Sequence, residues 1–337
     1  MKIGIHHNPG GFSDRWIEYC KENSINYKIL DCYKSDIIQQ LEDCDILMWH
    51  YSHGDYKDVL FGKQLLFSLE QAGKKVFPNF NTAWHFDDKV GQKYLLEAIN
   101  APLVPSYVFY DKKSALNWVN STKFPKVFKL RGGAGAANVS LAKNKKEAKQ
   151  KVKIAFGKGF SQFDRIGHFK EFFQKYKEKK VDFKKLIKAT GRLFITTEYS
   201  KMKGPEKGYV YFQDFIPNND SDIRIIVIGD KAFGLKRLIR TGDFRASGSG
   251  KLLYLNNSDI DPKCLQIAFD TSKKLNAQCL AFDFVYDANI NPLIVEISYG
   301  FAIEAYDLCP GYWDSKFNYI EEKFNPQAWI IENIIRN

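Results

Sequence analysis

The stretch that most constrains this chain is residues 279–300, CLAFDFVYDANINPLIVEISYG. An apolar and aromatic run, Leu280–Tyr286, is followed by the turn residues Asp287, Asn289, Asn291 and Pro292. A second apolar run, Leu293–Ile297, completes the pattern of a β-hairpin. Two acids interrupt it, Asp283 on the first strand and Glu296 on the second. A carboxylate in a buried strand costs several kcal/mol unless a cation or a donor satisfies it. With the turn near Ala288–Asn291 the two acids lie roughly opposite each other. Such a pair, with little else to neutralise it, suits a hard divalent cation such as magnesium. The same spacing fits two rim acids bonded to backbone or arginine, so the rest of the chain has to decide.

The chain has 337 residues, 45% of them hydrophobic, enough for a sizeable core and about two to three domains. No apolar run approaches the roughly 18 residues of a membrane span. The start, MKIGIHHNPGG, lacks the apolar region of a signal peptide. Six scattered cysteines show no metal spacing, which points to reduced core thiols and a cytoplasmic protein. The net charge of +11 is uneven: residues 141–207 hold 20 Lys/Arg against 7 Asp/Glu, and the remainder holds 30 against 32. A basic segment implies an anionic partner or a solvated helical surface. Its aromatics Phe169, Phe172, Phe173 and Tyr176 fall near a helical period, which favours burial over stacking on bases, so no nucleic-acid partner is expected.

In order, residues 2–6, 25–31, 44–51 and 74–79 read as strands alternating with helices over 13–22 and 57–72, the first capped by Ser13. This alternation predicts a parallel sheet with helices on both faces, and ligands in such folds bind at the carboxyl ends of strands. His6–Gly11 and His50–Gly54 fall at that rim. Residues 81–100 read as one helix capped near Asn81 or Thr82. A strand over 124–130 carries Lys126 and Lys129 and leads into the glycine-rich stretch RGGAGAANVSLA. Residues 222–240 read as a hairpin with Gly229-Asp230 at its tip.

Gly132, Gly133 and Gly135 could cradle phosphates through backbone N–H groups. The loop is not a Walker loop, since Lys-Ser/Thr does not follow, and GSGK at 248–251 fails because Leu252 replaces the Ser/Thr. A dinucleotide fingerprint also fails, because the loop leads into a strand. A glycine loop between two strands, preceded by Lys129, suits a lid over a triphosphate.

The ordered set is more specific than any member. It runs Asp87-Asp88-Lys89, Lys129 with the glycine loop, Gln213-Asp214-Phe215-Ile216, Asp222-Ile223-Arg224, Gly242-Asp243-Phe244-Arg245, Asp283, and Glu296-Ile297-Ser298. This set resembles the ATP-grasp superfamily of carboxylate–amine ligases, most closely the ribosomal-protein glutamate ligases and bacterial glutathione synthetases. The resemblance covers roughly residues 75–305. It implies a parallel α/β domain over 1–80, a small lid subdomain over 81–210 with a basic helical insertion at about 150–207, and a large subdomain over 211–337. Lys89 and Lys129 then look like the lysines that contact ATP phosphates, and Gly132–Gly135 like the lid. Gln213, Asp214, Phe215 and Ile216 look like the hinge that reads adenine, and Asp222 like the ribose contact. Arg224 and Arg245 look like the catalytic cations that face the transferred phosphoryl group and the acyl substrate. Asp283, Glu296 and Ser298 look like the metal ligands. The implied cofactors are ATP and Mg²⁺, with Mn²⁺ as a substitute.

The sequence departs from the family at Ser298, where asparagine is usual, and at Ser247, where the relatives often carry asparagine. It is also longer between Lys129 and Gln213. The expected activity is ADP-forming carboxylate–amine (or carboxylate–thiol) ligation, forming an amide through an acyl phosphate, with small carboxylate and amine substrates and room for a homodimer. One alternative is a ligase that attaches an amino acid to uronic acids of a surface polysaccharide, since PGYWD and FNPQAWIIEN resemble the tails of such proteins. The basic segment would then help dock an anionic acceptor. A rival of another class is a non-catalytic ATP-binding protein.

Overall fold

The computed structural model describes residues 1–132, 138–161, 204–239 and 243–336, with scattered positions between 172 and 202. Gly133, Gly135 and most of the basic segment lie outside the described residues. The chain divides into two units, Met1–Val104 with Ile216–Asn337, and Pro105–Phe215.

The first unit opens with β1 (Ile3–His6), α1 (Phe12–Glu22), β2 (Tyr27–Leu30), α2 (Ile37–Gln40), β3 (Ile46–Met48), α3 (Tyr56–Gln71) and β4 (Lys75–Phe77). The strands form the expected parallel sheet in the order β2-β1-β3-β4. Strand β1 is buried throughout, as a strand covered on both faces must be. Ser13 does not cap α1. The cap is Gly11, which offers no side chain, while Ser13 is buried and accepts the N–H of Asn8 at 2.9 Å.

The expected helix over 81–100 is two helices, α4 (Phe80–Ala83) and α5 (Lys89–Ala98). Asn79 caps α4 and Asp88 caps α5, accepting the Gly91 N–H at 2.9 Å. Asp87 between them has a positive φ of 54°, a left-handed conformation that an α-helix cannot continue through.

The second unit runs β5 (Ser106–Phe109), α6 (Lys112–Ser121), β6 (Lys126–Lys129), β7 (Val139–Ala142), α7 (Lys145–Ala155) and β8 (Val210–Asp214). Its antiparallel sheet has the order β5-β8-β6-β7. Phe128, Leu130, Val210 and Phe212 pack there with Ala115, Val119 and Val152 of the helices. The glycine-rich stretch joins β6 to β7, and Leu130 N–H bonds Asn138 O at 3.1 Å.

The chain then returns to the first unit through β9 (Ser221–Ile228), β10 (Lys231–Leu238), β11 (Leu252–Tyr254), α8 (Pro262–Leu275), β12 (Cys279–Tyr286), β13 (Pro292–Ser298), β14 (Tyr312–Asp314), β15 (Tyr319–Ile320) and α9 (Pro326–Arg336). The main sheet follows β13-β12-β9-β10-β14-β15. Alternation along β9 sends Ile223, Ile225 and Val227 to a core shared with α8, and Ile226 and Ile228 to a core shared with Trp16, Phe77 and Trp329. The fold is thus mixed α/β, with a parallel N-terminal sheet and antiparallel sheets after it. No described helix is long and apolar enough to cross a membrane.

Candidate active site

Strand register builds the first half of the site. Asp283 pairs with Glu296 across β12–β13 and with Arg224 across β12–β9, and Asp222 pairs with Arg237 across β9–β10. Directly opposed residues share a face of a sheet, and residues two apart on one strand do so as well. Asp222, Arg224, Arg237, Asp283, Glu296 and Ser298 therefore form one charged end of the face that buries Ile226 and Ala281. A β-bulge after Asp283 shifts the register at that point, which bends the strand beside the charges.

The expectation that little else neutralises the acid pair does not hold for Asp283. Arg224 donates to it from Nε at 2.6 Å and Nη2 at 2.9 Å, and Arg237 Nη2 lies 2.7 Å from Oδ2. Burial works against the ionised carboxyl, but Arg224 and then Arg237 outweigh it and hold the Asp283 pKa well below the usual carboxylate range. Asp222 takes both bonds from Arg237, each 2.6 Å. Burial, with the nearby Asp283 charge, raises its pKa despite Arg237. The buried Tyr306 lies within electrostatic contact of both arginines.

Glu296 stands differently. Lys89 Nζ approaches its Oε1 at 3.9 Å, beyond hydrogen-bond length. Lys89 is the first residue of α5 and only 5% exposed. Gln92, one turn on, accepts the Ile297 N–H at 3.2 Å and donates to His85 O at 3.2 Å, so α5 is pinned to β13 next to Glu296. Ser298 Oγ is occupied locally, donating to Gly300 O at 3.0 Å and accepting its N–H at 3.2 Å.

No cluster of three or more His, Cys, Asp or Glu suited to a metal occurs among the described residues. Two carboxylates, one of them bound by two guanidinium groups, do not make a complete site for a divalent cation. They fit an ion that brings oxygen ligands with it, as magnesium does on a nucleotide's phosphates.

The second unit carries the other candidates. In β6 the side chains alternate, so Lys129 and Val127 share one face and Lys126 and Phe128 the other. The register places Val127 opposite Gln213 and Lys129 opposite Tyr211, and Gln213 opposite Ser106. These polar residues are buried, and Ser106 Oγ accepts from Tyr211 Oη at 2.9 Å and from Gln213 Nε2 at 3.1 Å. Asp214 belongs to the opposite face. It pairs with Lys126 at 2.5 Å, and Lys126 Nζ lies 5.2 Å from the Tyr107 ring centre and 5.7 Å from that of Trp118. At the base of the glycine stretch, Arg131 N–H donates to Tyr209 Oη at 2.6 Å, which donates to Glu206 at 2.7 Å.

Lys89, Asp222, Arg224, Asp283, Glu296 and Ser298 thus belong to the first unit, and Lys129, Gly132, Gln213, Asp214 and Phe215 to the second. Ile216 begins the returning segment. Arg245 is held by Asp243 within its own loop, with Nη2 at 2.6 Å from Oδ2. Arg237 escaped the sequence reading. Only the β9–β10 register sets it against Asp222.

The RimK-like ATP-grasp domain family matches residues 170–307. No curated protein matches the sequence. Among solved structures, a RimK domain ATP-grasp protein from Sphaerobacter thermophilus is similar at 14% identity and a TM-score of 0.56, with 100% of both chains covered. The D-alanine–D-alanine ligase of Bacillus anthracis, solved with ATP, is similar at 13% identity and a TM-score of 0.56, over 100% of this chain and 97% of the ligase. The biotin carboxylase domain of the Hydrogenobacter thermophilus 2-oxoglutarate carboxylase, solved with MgADP and bicarbonate, reaches 0.58 at 12% identity, over 100% of this chain and 70% of that one. The fold is the ATP-grasp fold, and the resemblance to the ATP-grasp superfamily rests on both the domain match and the architecture.

Proposed function

We propose that this chain is an ATP-dependent ligase that activates a carboxylate as an acyl phosphate and joins it to an amine, releasing ADP and phosphate. The observation that carries the reading is the cross-strand ladder of Glu296, Asp283 and Arg224 beside the buried Lys89. Buried, hydrogen-bonded arginines are held in place before any substrate binds, and preorganised cations of this kind stabilise charge that develops during phosphoryl transfer.

In this reading a carboxylate oxygen attacks the γ-phosphorus and the bond to ADP breaks. An amine then attacks the acyl carbon and phosphate leaves. Lys89 and Lys129 are assigned to the ATP phosphates, and Gly132, Gly133 and Gly135 to the phosphate-binding loop. The backbone of Gln213–Ile216 reads adenine. Arg224, kept in place by Asp283, faces the transferred group, and Arg245 the acyl substrate. Asp222 is assigned to the ribose, and Arg237 fixes its orientation. Magnesium, or Mn²⁺ by the same oxygen chemistry, would be held by Glu296 and phosphate oxygens with Asp283 and Ser298 beside it, and would neutralise phosphate charge.

The test is nucleotide product analysis over a panel of carboxylic acids, uronic acids included, with amino acids as amines. ADP and phosphate formed only with a matched pair are expected. AMP and pyrophosphate would remove the reading, and tight MgATP binding without turnover on any pair would favour the non-catalytic rival.

A further inference from the structure

Strand β8 ends inside the segment assigned to adenine, and its last residue is tied down from two sides. Asp214 N–H donates to Pro105 O at 2.8 Å, just ahead of β5. On the other side the ladder sets Asp214 opposite Lys126, the first residue of β6. Lys126 Nζ lies 2.5 Å from Asp214 Oδ1 across that pair. Phe215 and Ile216 follow at once, beyond the strand.

The lysine is enclosed by rings. Its Nζ lies 5.2 Å from the Tyr107 ring centre and 5.7 Å from that of Trp118, within reach of a cation–π attraction. Trp118, on α6, packs in turn on Tyr107 with centres 4.8 Å apart and on Phe212 at 5.3 Å. The Lys126 side chain is 9% exposed, against 29% for Asp214. All of these residues belong to the second unit. They lie on the face of its sheet that packs on α6, opposite the face of Gln213 and Lys129.

An enclosed ion pair adds little net stability, because desolvation offsets the attraction. Apolar side chains of similar size would fill the space under Trp118 as well. What the pair adds is direction. With its N–H bonded to Pro105 and its carboxylate to Lys126, Asp214 is fixed at both backbone and side chain, and the peptide that follows it starts from a fixed point. That peptide is where base selection would be decided. Adenine offers a donor, its amino group, beside an acceptor ring nitrogen. Guanine offers an acceptor oxygen beside a donor ring N–H. A backbone carbonyl and N–H held in one order match the first base and leave their own groups unpaired against the second. Turning a peptide unit over would reverse the order, so discrimination depends on how firmly the strand exit is held.

We propose that Lys126 and Asp214 are positioning residues that hold the end of β8 in one conformation and so make the nucleotide site select adenine over guanine; the proposal rests on the reading that Gln213–Ile216 binds the adenine edge. The pair acts through the backbone, from the face of the sheet turned away from Gln213.

The test is calorimetric titration of MgATP and MgGTP into the full chain, with a thermal melt of each variant. The wild type should bind MgATP the more tightly. Lys126→Met should weaken MgATP binding by about 3- to 10-fold, the worth of roughly one hydrogen bond, and leave MgGTP binding unchanged. The ratio of the two affinities then narrows by that factor. Lys126→Arg keeps the charge and the reach and should keep the ratio. Lys126→Met also leaves a carboxylate without its partner, which costs stability. The double variant Lys126→Met/Asp214→Asn removes that charge, so it should melt closer to the wild type and still show the narrowed ratio. A wild-type ratio in either Met variant overturns the proposal. An equal loss for both nucleotides also overturns it, because a merely loosened fold would give that. A wild-type chain that binds the two nucleotides equally overturns it too. A wild-type chain that binds neither instead overturns the nucleotide reading itself.

Discussion

Asp283 is the residue on which the buried charges turn. It faces two arginines, and Arg237 in turn holds Asp222. Removing one member of a buried ionic network leaves uncompensated charge and typically costs about 3–5 kcal/mol. Arg237→Met should therefore lower the unfolding midpoint strongly as well as turnover, and Asp283→Asn should do both. A variant at either position that loses activity with unchanged denaturant stability would show that the network is not structural. The same residues set a pH dependence. The folded Asp283 pKa lies below its unfolded value, so its contribution is present above an unfolded pKa of about 3.9 and is lost as pH falls through the folded value. His85 acts earlier. Burial, then the nearby Lys63, pushes its pKa down to about 4 from 6.5. Between those values the unfolded state binds the extra proton, so stability falls as pH drops through that window, by roughly 3 kcal/mol in all. Denaturant titrations from pH 7 to 4 should show this loss, and His85→Gln should flatten it. The acids themselves were legible in the sequence, because a strand pair with a short turn fixes which residues oppose. Their partners were not. Arg224 was marked by a motif, but Arg237 becomes significant only through a register that no local pattern states.

At the scale of elements, two breaks position the charges. The first is the interruption between α4 and α5. Asp88 as cap and Asp87 at positive φ start α5 at Lys89, whereas a helix continuous from Asn81 would carry the lysine elsewhere on its circumference. The cap signal, Asp88 ahead of Lys-Val-Gly, was present in the sequence. It was overridden by the apolar periodicity that runs across both helices. Asp88→Ala should cost about 1 kcal/mol and raise the KM for ATP through displacement of Lys89; a stability loss with an unchanged KM would separate the cap from the site. The second is Gly234, in the middle of β10. A Cβ there would meet the Arg224 carbonyl oxygen at 2.6 Å and Ile225 Cα at 3.4 Å. These are backbone atoms and cannot turn away, so Gly234→Ala must push β10 off β9, at about 1–3 kcal/mol, and part Arg237 from Asp222. A thermal melt should show the loss, and the variant should respond less to Arg237→Met than the wild type does, because the two changes damage one contact.

The whole molecule is organised in a way that chain order conceals. Strand–helix alternation announced the N-terminal parallel sheet, and the hairpin patterns announced the antiparallel strands. The joining of residues 1–104 to 216–337 as one unit had no local signal, because it depends on contacts more than a hundred residues apart. One core draws Trp16, Trp49 and Phe77 from the first stretch and Ile226, Phe233 and Trp329 from the second. The intervening unit has its own core around Phe128 and Phe212. The chain enters and leaves that unit at adjacent points, since Asp214 N–H bonds Pro105 O at 2.8 Å. Two outcomes follow for fragments. Residues 1–104 alone would expose the apolar surface that β9, β10 and α9 normally cover, and should be aggregated or molten, with ANS binding and no cooperative melt. Residues 1–104 joined to 216–337 through a short Gly/Ser link keep that surface covered and close only a short loop, whose entropic cost is small. The joined form should melt cooperatively. A cooperative melt of 1–104 alone, or a molten joined form, would mean that the two stretches do not depend on each other for their core.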